Sequence, residues 1–144
     1  VTKRIATGKT LVINEKDELL LLWIEKHTER PERSKTWDLP GGFIDHRDAS
    51  EKEGALRELD EEAGIKLDQG DVQLVYALTG YYKEHDVSVT HLTYLAKLNN
   101  TPEVAISWEH DDYKWVNFAD VLDHYTLRPH YEKAIAHVLD HHLY

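Results

Sequence analysis

The sequence predicts an α+β domain, on three observations. Segments with strand periodicity and with helix periodicity mix without a regular strand–helix–strand rhythm, which disfavours a doubly wound parallel sheet. The 144 residues suffice for one domain with its own core, and residues 1–144 are taken as a single unit. No repeat, low-complexity tract or interior linker divides them.

From the N-terminus, residues 5–13 and 18–25 are apolar runs too short for ordinary helices, so they are read as buried strands joined by the polar turn Asn14-Glu15-Lys16-Asp17. His27 to Lys35 is a charged loop containing Pro31, and Trp37-Asp38-Leu39-Pro40 leads into a Pro40-Gly41-Gly42 turn. A helix over residues 51–63 follows. Ser50 can cap its N-terminus, Glu53 completes the form of a capping box, and Gly64 supplies a left-handed stop. Val72 to Tyr82 and Val87 to Leu98 alternate as a long antiparallel pair. Tyr113 to Val116 is a short strand, Ala119 to His124 a short helix, and Pro129 to His142 a last helix with Tyr131, Ile135 and Val138 on one face.

The chemistry concentrates on the helix over 51–63. At about 100° per residue, Glu58, Glu61 and Glu62 fall within one arc of roughly 100°, with Glu51 on the same side, beside an apolar stripe of Ala55, Leu56, Leu59 and Ala63. Like charges at these spacings destabilise an isolated helix, and a solvated acidic face is the ordinary reading of such a cluster. Here the apolar stripe anchors the helix to a core, the glycine turn precedes it, and Gly54 leaves room on the carboxylate face for a loop or a ligand. Hard carboxylate oxygens grouped this way suit Mg²⁺ or Mn²⁺, which bridge carboxylates to substrate phosphates.

These residues resemble the signature of the Nudix (MutT-like) hydrolases, G-x5-E-x7-R-E-U-x-E-E-x-G-U with U aliphatic. Arg57-Glu58-Leu59-Asp60-Glu61-Glu62-Ala63-Gly64-Ile65 matches the second half at every specified position. The first half departs twice: counting from Gly42, Asp48 stands where the family has Glu, and eight residues rather than seven separate it from Arg57. The extra residue is placed in the 43–49 loop, which leaves the metal-binding face undisturbed. In the family the missing Glu typically pairs with the arginine, and whether the shorter Asp48 reaches Arg57 is left open. The resemblance covers nearly the whole chain and implies a mixed β-sheet sandwiched between α-helices.

A second constellation is Trp108-Glu109-His110-Asp111-Asp112-Tyr113-Lys114-Trp115. Family members often carry a Glu six residues before a Trp here, reaching the metal site, so Glu109 is the candidate fourth carboxylate. His110 is read as a loop residue or substrate contact rather than a ligand. His137, His141 and His142 include an i, i+4 pair, but no third ligand accompanies it, and His85 and His91 receive no role.

Composition narrows the class. A formal net charge of −10 argues against a nucleic-acid polymer as partner, and no run approaches the roughly 18–20 apolar residues of a membrane span. Without a cysteine there is neither a disulfide nor a thiolate metal site, and a soluble cytoplasmic protein is expected. Oligomeric state is left open, a homodimer included.

The resemblance implies hydrolysis of a nucleoside diphosphate linked to another moiety. Glu58 and Glu62, with the backbone carbonyl of Gly41, are expected to hold Mg²⁺ or Mn²⁺. Glu61 and Glu109 are candidates for further metal contacts and for the general base, and Arg57 for orienting a carboxylate or contacting phosphate. Lys26, Arg30, Arg33 and Lys35 are available for distal phosphates, and Trp37, Tyr81 and Tyr82 for a base pocket. Gly80 stands where the ADP-ribose branch often has Pro, while Tyr81 and Tyr82, sixteen and seventeen past Ile65, match a position associated with dinucleoside polyphosphates. Nucleoside triphosphates stay equally open. The alternatives are a non-catalytic nucleotide-sensing module and an isomerase, the latter disfavoured because its proton transfers classically include a Cys.

Overall fold

The computed structural model describes residues 1–144. Seven strands form one mixed sheet: β1 (Lys3–Ile13), β2 (Glu18–Ile24), β3 (Thr36–Asp38), β4 (Gly41–Phe43), β5 (Gln73–Tyr82), β6 (Val87–Lys97) and β7 (Asp112–Asn117). Three α-helices, α1 (Glu51–Ala63), α2 (Val121–His124) and α3 (Pro129–Asp140), and three single-turn 3-10 helices join them. None is long and apolar enough to cross a membrane.

The apolar strands are buried on both faces, which explains their nearly continuous hydrophobicity. Alternate residues of β1 and β2 point opposite ways. Leu11, Ile13, Leu19 and Leu21 pack with Tyr131, Ile135 and Val138 of α3, while Val12, Leu20 and Leu22 pack with Leu59 and Ala63 of α1. The sheet therefore lies between α1 on one side and α2 with α3 on the other, as the resemblance implied.

Pairing differs from a simple hairpin at the start. β1 and β2 meet antiparallel only at Ile13 and Leu19, because β4 inserts against Thr7–Lys9 and β6 runs parallel along the whole other edge of β1. The intervening turn is organised by Asn14, whose buried amide oxygen accepts from Lys16 N and Glu18 N at 3.0 and 2.9 Å. β5 and β6 form the expected antiparallel pair. The two short strands β3 and β4 escape sequence reading because three residues carry no periodicity.

Helix α1 starts and stops as expected. Ser50 Oγ accepts from Glu53 N at 3.1 Å, and Gly64 at φ 68° closes the helix by donating to Asp60 O. Only this half of the capping box forms. Glu53 instead accepts from Gln69 Nε2 at 2.6 Å, tying the helix to the loop before β5.

Candidate active site

Two features bring the glycine turn against α1. Gly41 has φ +140°, and a Cβ there would lie 2.1 Å from Gly8 O, so no other residue fits between β4 and β1. Beside it, the absence of a side chain on Gly42 makes room for Glu58: a Cβ would stand 2.8 Å from its Oε2. The carboxylates of Glu58 and Glu62 thus lie on the α1 face toward the turn, Glu58 partly and Glu62 almost wholly buried, while Glu61 is exposed.

Asp48 does reach Arg57. Its two oxygens accept from Arg57 Nε and Nη2 at 2.8 and 2.9 Å, a bidentate pair that holds the Asp48 carboxyl below its ordinary range and raises the guanidinium. The remaining donor, Nη1, lies 3.1 Å from Glu58 Oε1 and 3.2 Å from Glu61 Oε2. Arg57 therefore orients both carboxylates through one planar group. The longer loop compensates for the shorter acid, because Asp48 Oδ2 also accepts from Asp45 N at 2.8 Å.

Gly54 is the notch that admits this acid. A Cβ on Gly54 would meet Asp48 Oδ2 at 2.6 Å and Ile44 Cδ1 at 2.9 Å. Gly→Ala inside a helix ordinarily stabilises by about 1 kcal/mol. Here Gly54→Ala is expected to destabilise instead, because Asp48 is pinned by Arg57 and cannot retreat cheaply. Thermal melts check this, and the sign should revert to stabilising in an Asp48→Ala background.

Under the turn lies a buried polar network that the sequence reading missed. Asp38 Oδ1 accepts from Tyr131 Oη at 2.5 Å and faces Arg33 Nη2 and Lys9 Nζ, each at 3.3 Å. Its Oδ2 lies 3.0 Å from His110 Nε2. Lys9 Nζ also donates to Leu39 O at 2.9 Å and Gly41 O at 3.0 Å, so the Gly41 carbonyl expected to face a metal holds one hydrogen bond already and keeps a second lone pair. Burial would raise the Asp38 carboxyl, yet Lys9, His110, Arg33 and Tyr131 together hold it far below its usual range. Burial likewise opposes the charge on Lys9, and Asp38 reverses that and raises it. One signal was available: Lys9 and Asp38 are charges inside otherwise apolar strand segments.

Glu62 is less fully compensated. Only 4 % exposed, it is pushed up to about 9, mainly by burial, with Lys9 lowering it and Asp38, Glu109 and Glu58 raising it further. Glu109, exposed in the loop before β7, is thus near enough for its charge to be felt at Glu62. Neighbouring His110 lies in the same loop, as expected, but is buried, with Nδ1 3.7 Å from Glu62 Oε1. Asp38, Glu62 and His110 each present a ligand atom within 4.8 Å of the others.

The other expected contacts are dispersed. Arg33 is engaged with Asp38, and Trp37 packs between Trp23 and Tyr125, with ring centroids 4.9 and 6.0 Å away. Tyr81 and Tyr82 are 58 % and 44 % exposed at the end of β5, their hydroxyls at Asp86 Oδ1 (2.9 Å) and His91 Nε2 (3.3 Å). Lys26, Arg30 and Lys35 lie on the exposed loop.

This carboxylate face is carried by a sequence that matches the NUDIX domain model over residues 2–138. The chain belongs to the NUDIX domain family. It is 33 % identical over 86 residues to a bis(5'-nucleosyl)-tetraphosphatase (asymmetrical) of Caenorhabditis elegans, a match covering 60 % of this chain and 62 % of that protein's length. The Nudix fold of a MutT protein from Methanosarcina mazei Go1 superposes with a TM-score of 0.79 at 26 % identity, over 99 % of this chain and 96 % of that one. An Ap4A hydrolase of C. elegans, solved as a binary complex, superposes with a TM-score of 0.72 at 22 % identity, over 96 % and 98 % of the two chains. At that identity the second likeness speaks for the Nudix fold alone.

Proposed function

We propose that this Nudix protein is a divalent-metal-dependent hydrolase of phosphoanhydride bonds in small nucleotides, with dinucleoside polyphosphates and nucleoside triphosphates as the two favoured substrate classes. The observation that carries the reading is the carboxylate set Glu58, Glu61 and Glu62, oriented in part by the Arg57–Asp48 pair. The tetraphosphatase relative supports the first class, as does the position of Tyr81 and Tyr82.

The donor set fits Mg²⁺ or Mn²⁺. Oxygen ligands predominate, the room beside Gly42 is taken by a carboxylate, and the unmet charge cost of burying Glu62 is the cost that a bound cation removes. Glu58 and Glu62 would hold the ion, with the free lone pair of Gly41 O, and Glu61 or Glu109 would complete its contacts. When bound, such an ion neutralises phosphate oxygens and lowers the pKa of coordinated water.

The protein's own residues do the rest. Arg57 keeps Glu58 and Glu61 in fixed directions, so neither carboxylate has to be reorganised when an anionic substrate arrives. Glu61 and Glu109, both exposed, are the candidates to take a proton from attacking water, and burial disfavours Glu62 in that role. Tyr81 and Tyr82 offer exposed rings on which a base can stack.

Product release from dinucleoside polyphosphates, nucleoside triphosphates, ADP-ribose and nucleotide sugars, each with Mg²⁺, Mn²⁺ or chelator, tests the reading. Metal-dependent cleavage of the first or second class is expected. Nucleotide binding without turnover across the panel would replace it with a non-catalytic sensing role.

A further inference from the structure

We infer that His110 is a nitrogen ligand of the divalent ion, binding through Nδ1 beside Glu62, with Asp38 behind it as the group that sets the ring. The inference rests on the metal-dependent reading above and adds to it a ligand that is not a carboxylate.

The geometry is particular. His110 is 6 % exposed, and its Nε2 faces Asp38 Oδ2 at 3.0 Å. Asp38 is surrounded by the donors Lys9, Arg33 and Tyr131, so it stands as an acceptor and holds the imidazole proton on Nε2. With the proton on Nε2, the other ring nitrogen, Nδ1, is the one that presents a lone pair. That atom is buried and has no hydrogen-bond partner in the protein. An orphaned buried acceptor costs about 1–3 kcal/mol, so a structure that fixes the ring through Asp38 and leaves Nδ1 free calls for a partner.

What Nδ1 faces is Glu62 Oε1, at 3.7 Å. This is too long for a hydrogen bond. It lies within the ~4.2 Å that two ligand atoms, each about 2.1 Å from one ion, can span. Asp38–His110 also reproduces the arrangement by which metal-binding histidines are held, the second ring nitrogen donating to a carboxylate that fixes tautomer and orientation. Asp38 itself has no oxygen to spare, since its neighbours already claim both. The two ligand atoms offered here are therefore His110 Nδ1 and Glu62 Oε1. An imidazole added to carboxylates shifts preference away from Mg²⁺ toward first-row transition ions.

The test uses the full chain loaded with Mn²⁺. Electron spin-echo modulation should show coupling to a directly bound ¹⁴N, which disappears in His110→Gln, a variant whose amide can still donate to Asp38. Titration should show Mn²⁺ affinity falling about tenfold or more in that variant, with a much smaller change for Mg²⁺. Uniform ¹⁵N-histidine labelling of the unaltered protein should convert the modulation to the ¹⁵N pattern, which keeps the test intact if His110→Gln folds poorly. Mn²⁺ bound with no nitrogen coupling, or with coupling unchanged in His110→Gln, overturns the ligand assignment while leaving metal dependence standing. Failure of the chain to bind Mn²⁺ at all overturns both.

Discussion

Glu62→Gln is expected to lower metal-dependent turnover by about 10²–10³-fold while making the metal-free protein more stable. The two effects have one cause. Glu62 is 4 % exposed and pushed up to about 9 by burial, with Asp38, Glu109 and Glu58 adding to the rise. Between its unfolded value near 4.5 and that folded value, the folded chain holds a proton that the unfolded chain has released. Stability contributed by this group therefore falls as pH rises through the window, by at most ~1.4 kcal/mol per unit. Glutamine carries no such penalty, so the gain in chelated Glu62→Gln should be small near pH 5 and on the order of 2 kcal/mol by pH 7 to 8. Saturating Mg²⁺ or Mn²⁺ should reverse the order, since binding to the native state stabilises the unaltered protein and the variant binds less. Melts at pH 5 and 8, with chelator and with metal, check both halves. Equal turnover in the variant would remove Glu62 from the site.

What sequence could reach here was local. Ser50, Gly64 and the apolar stripe of α1 act through neighbours one turn away, and the helix runs over Glu51–Ala63 as read. The strands were legible because both faces are buried, so hydrophobicity alone marked β1 and β2. The carboxylate face followed from helical geometry. Contacts that decide how those carboxylates behave are long-range: Asp38 meets Lys9, His110 and Tyr131 across 29, 72 and 93 residues. No periodicity encodes them. Tyr131 illustrates the limit, since its place on the apolar face of α3 was evident while the role of its hydroxyl was not. Arg33 sits in a loop whose basic residues are candidates for distal phosphates and whose interleaved acids fit a solvated surface equally well; its guanidinium turns inward to Asp38, a contact neither reading contains. The Asp48–Arg57 pair was undecided in sequence for a related reason: a shorter acid and a longer loop offset each other only once the loop's path and the notch at Gly54 are known.

The largest loss of stability is expected from Asp38→Ala. The carboxylate is 3 % exposed and neutralises Lys9 while satisfying Tyr131, His110 and Arg33. Its removal leaves a buried ammonium with only two carbonyl acceptors, Leu39 O and Gly41 O, and strands a buried phenol and an imidazole N–H. Breaking one side of such a buried pair costs about 3–5 kcal/mol. For a chain of this size that is a fall in Tm of roughly 10–15 °C. The partner substitution separates charge from packing. Lys9→Met leaves Asp38 with Tyr131, His110 and Arg33, so its cost should be smaller, and adding Lys9→Met to Asp38→Ala should recover part of the loss, because an unpaired buried cation no longer remains. Activity should fall in Asp38→Ala even where the fold persists, since the same carboxylate fixes the His110 ring and, through Lys9, the Gly41 carbonyl beneath the glycine turn. Chemical denaturation of the two single variants and the double variant measures the coupling, and strictly additive losses would show that Asp38 and Lys9 act independently.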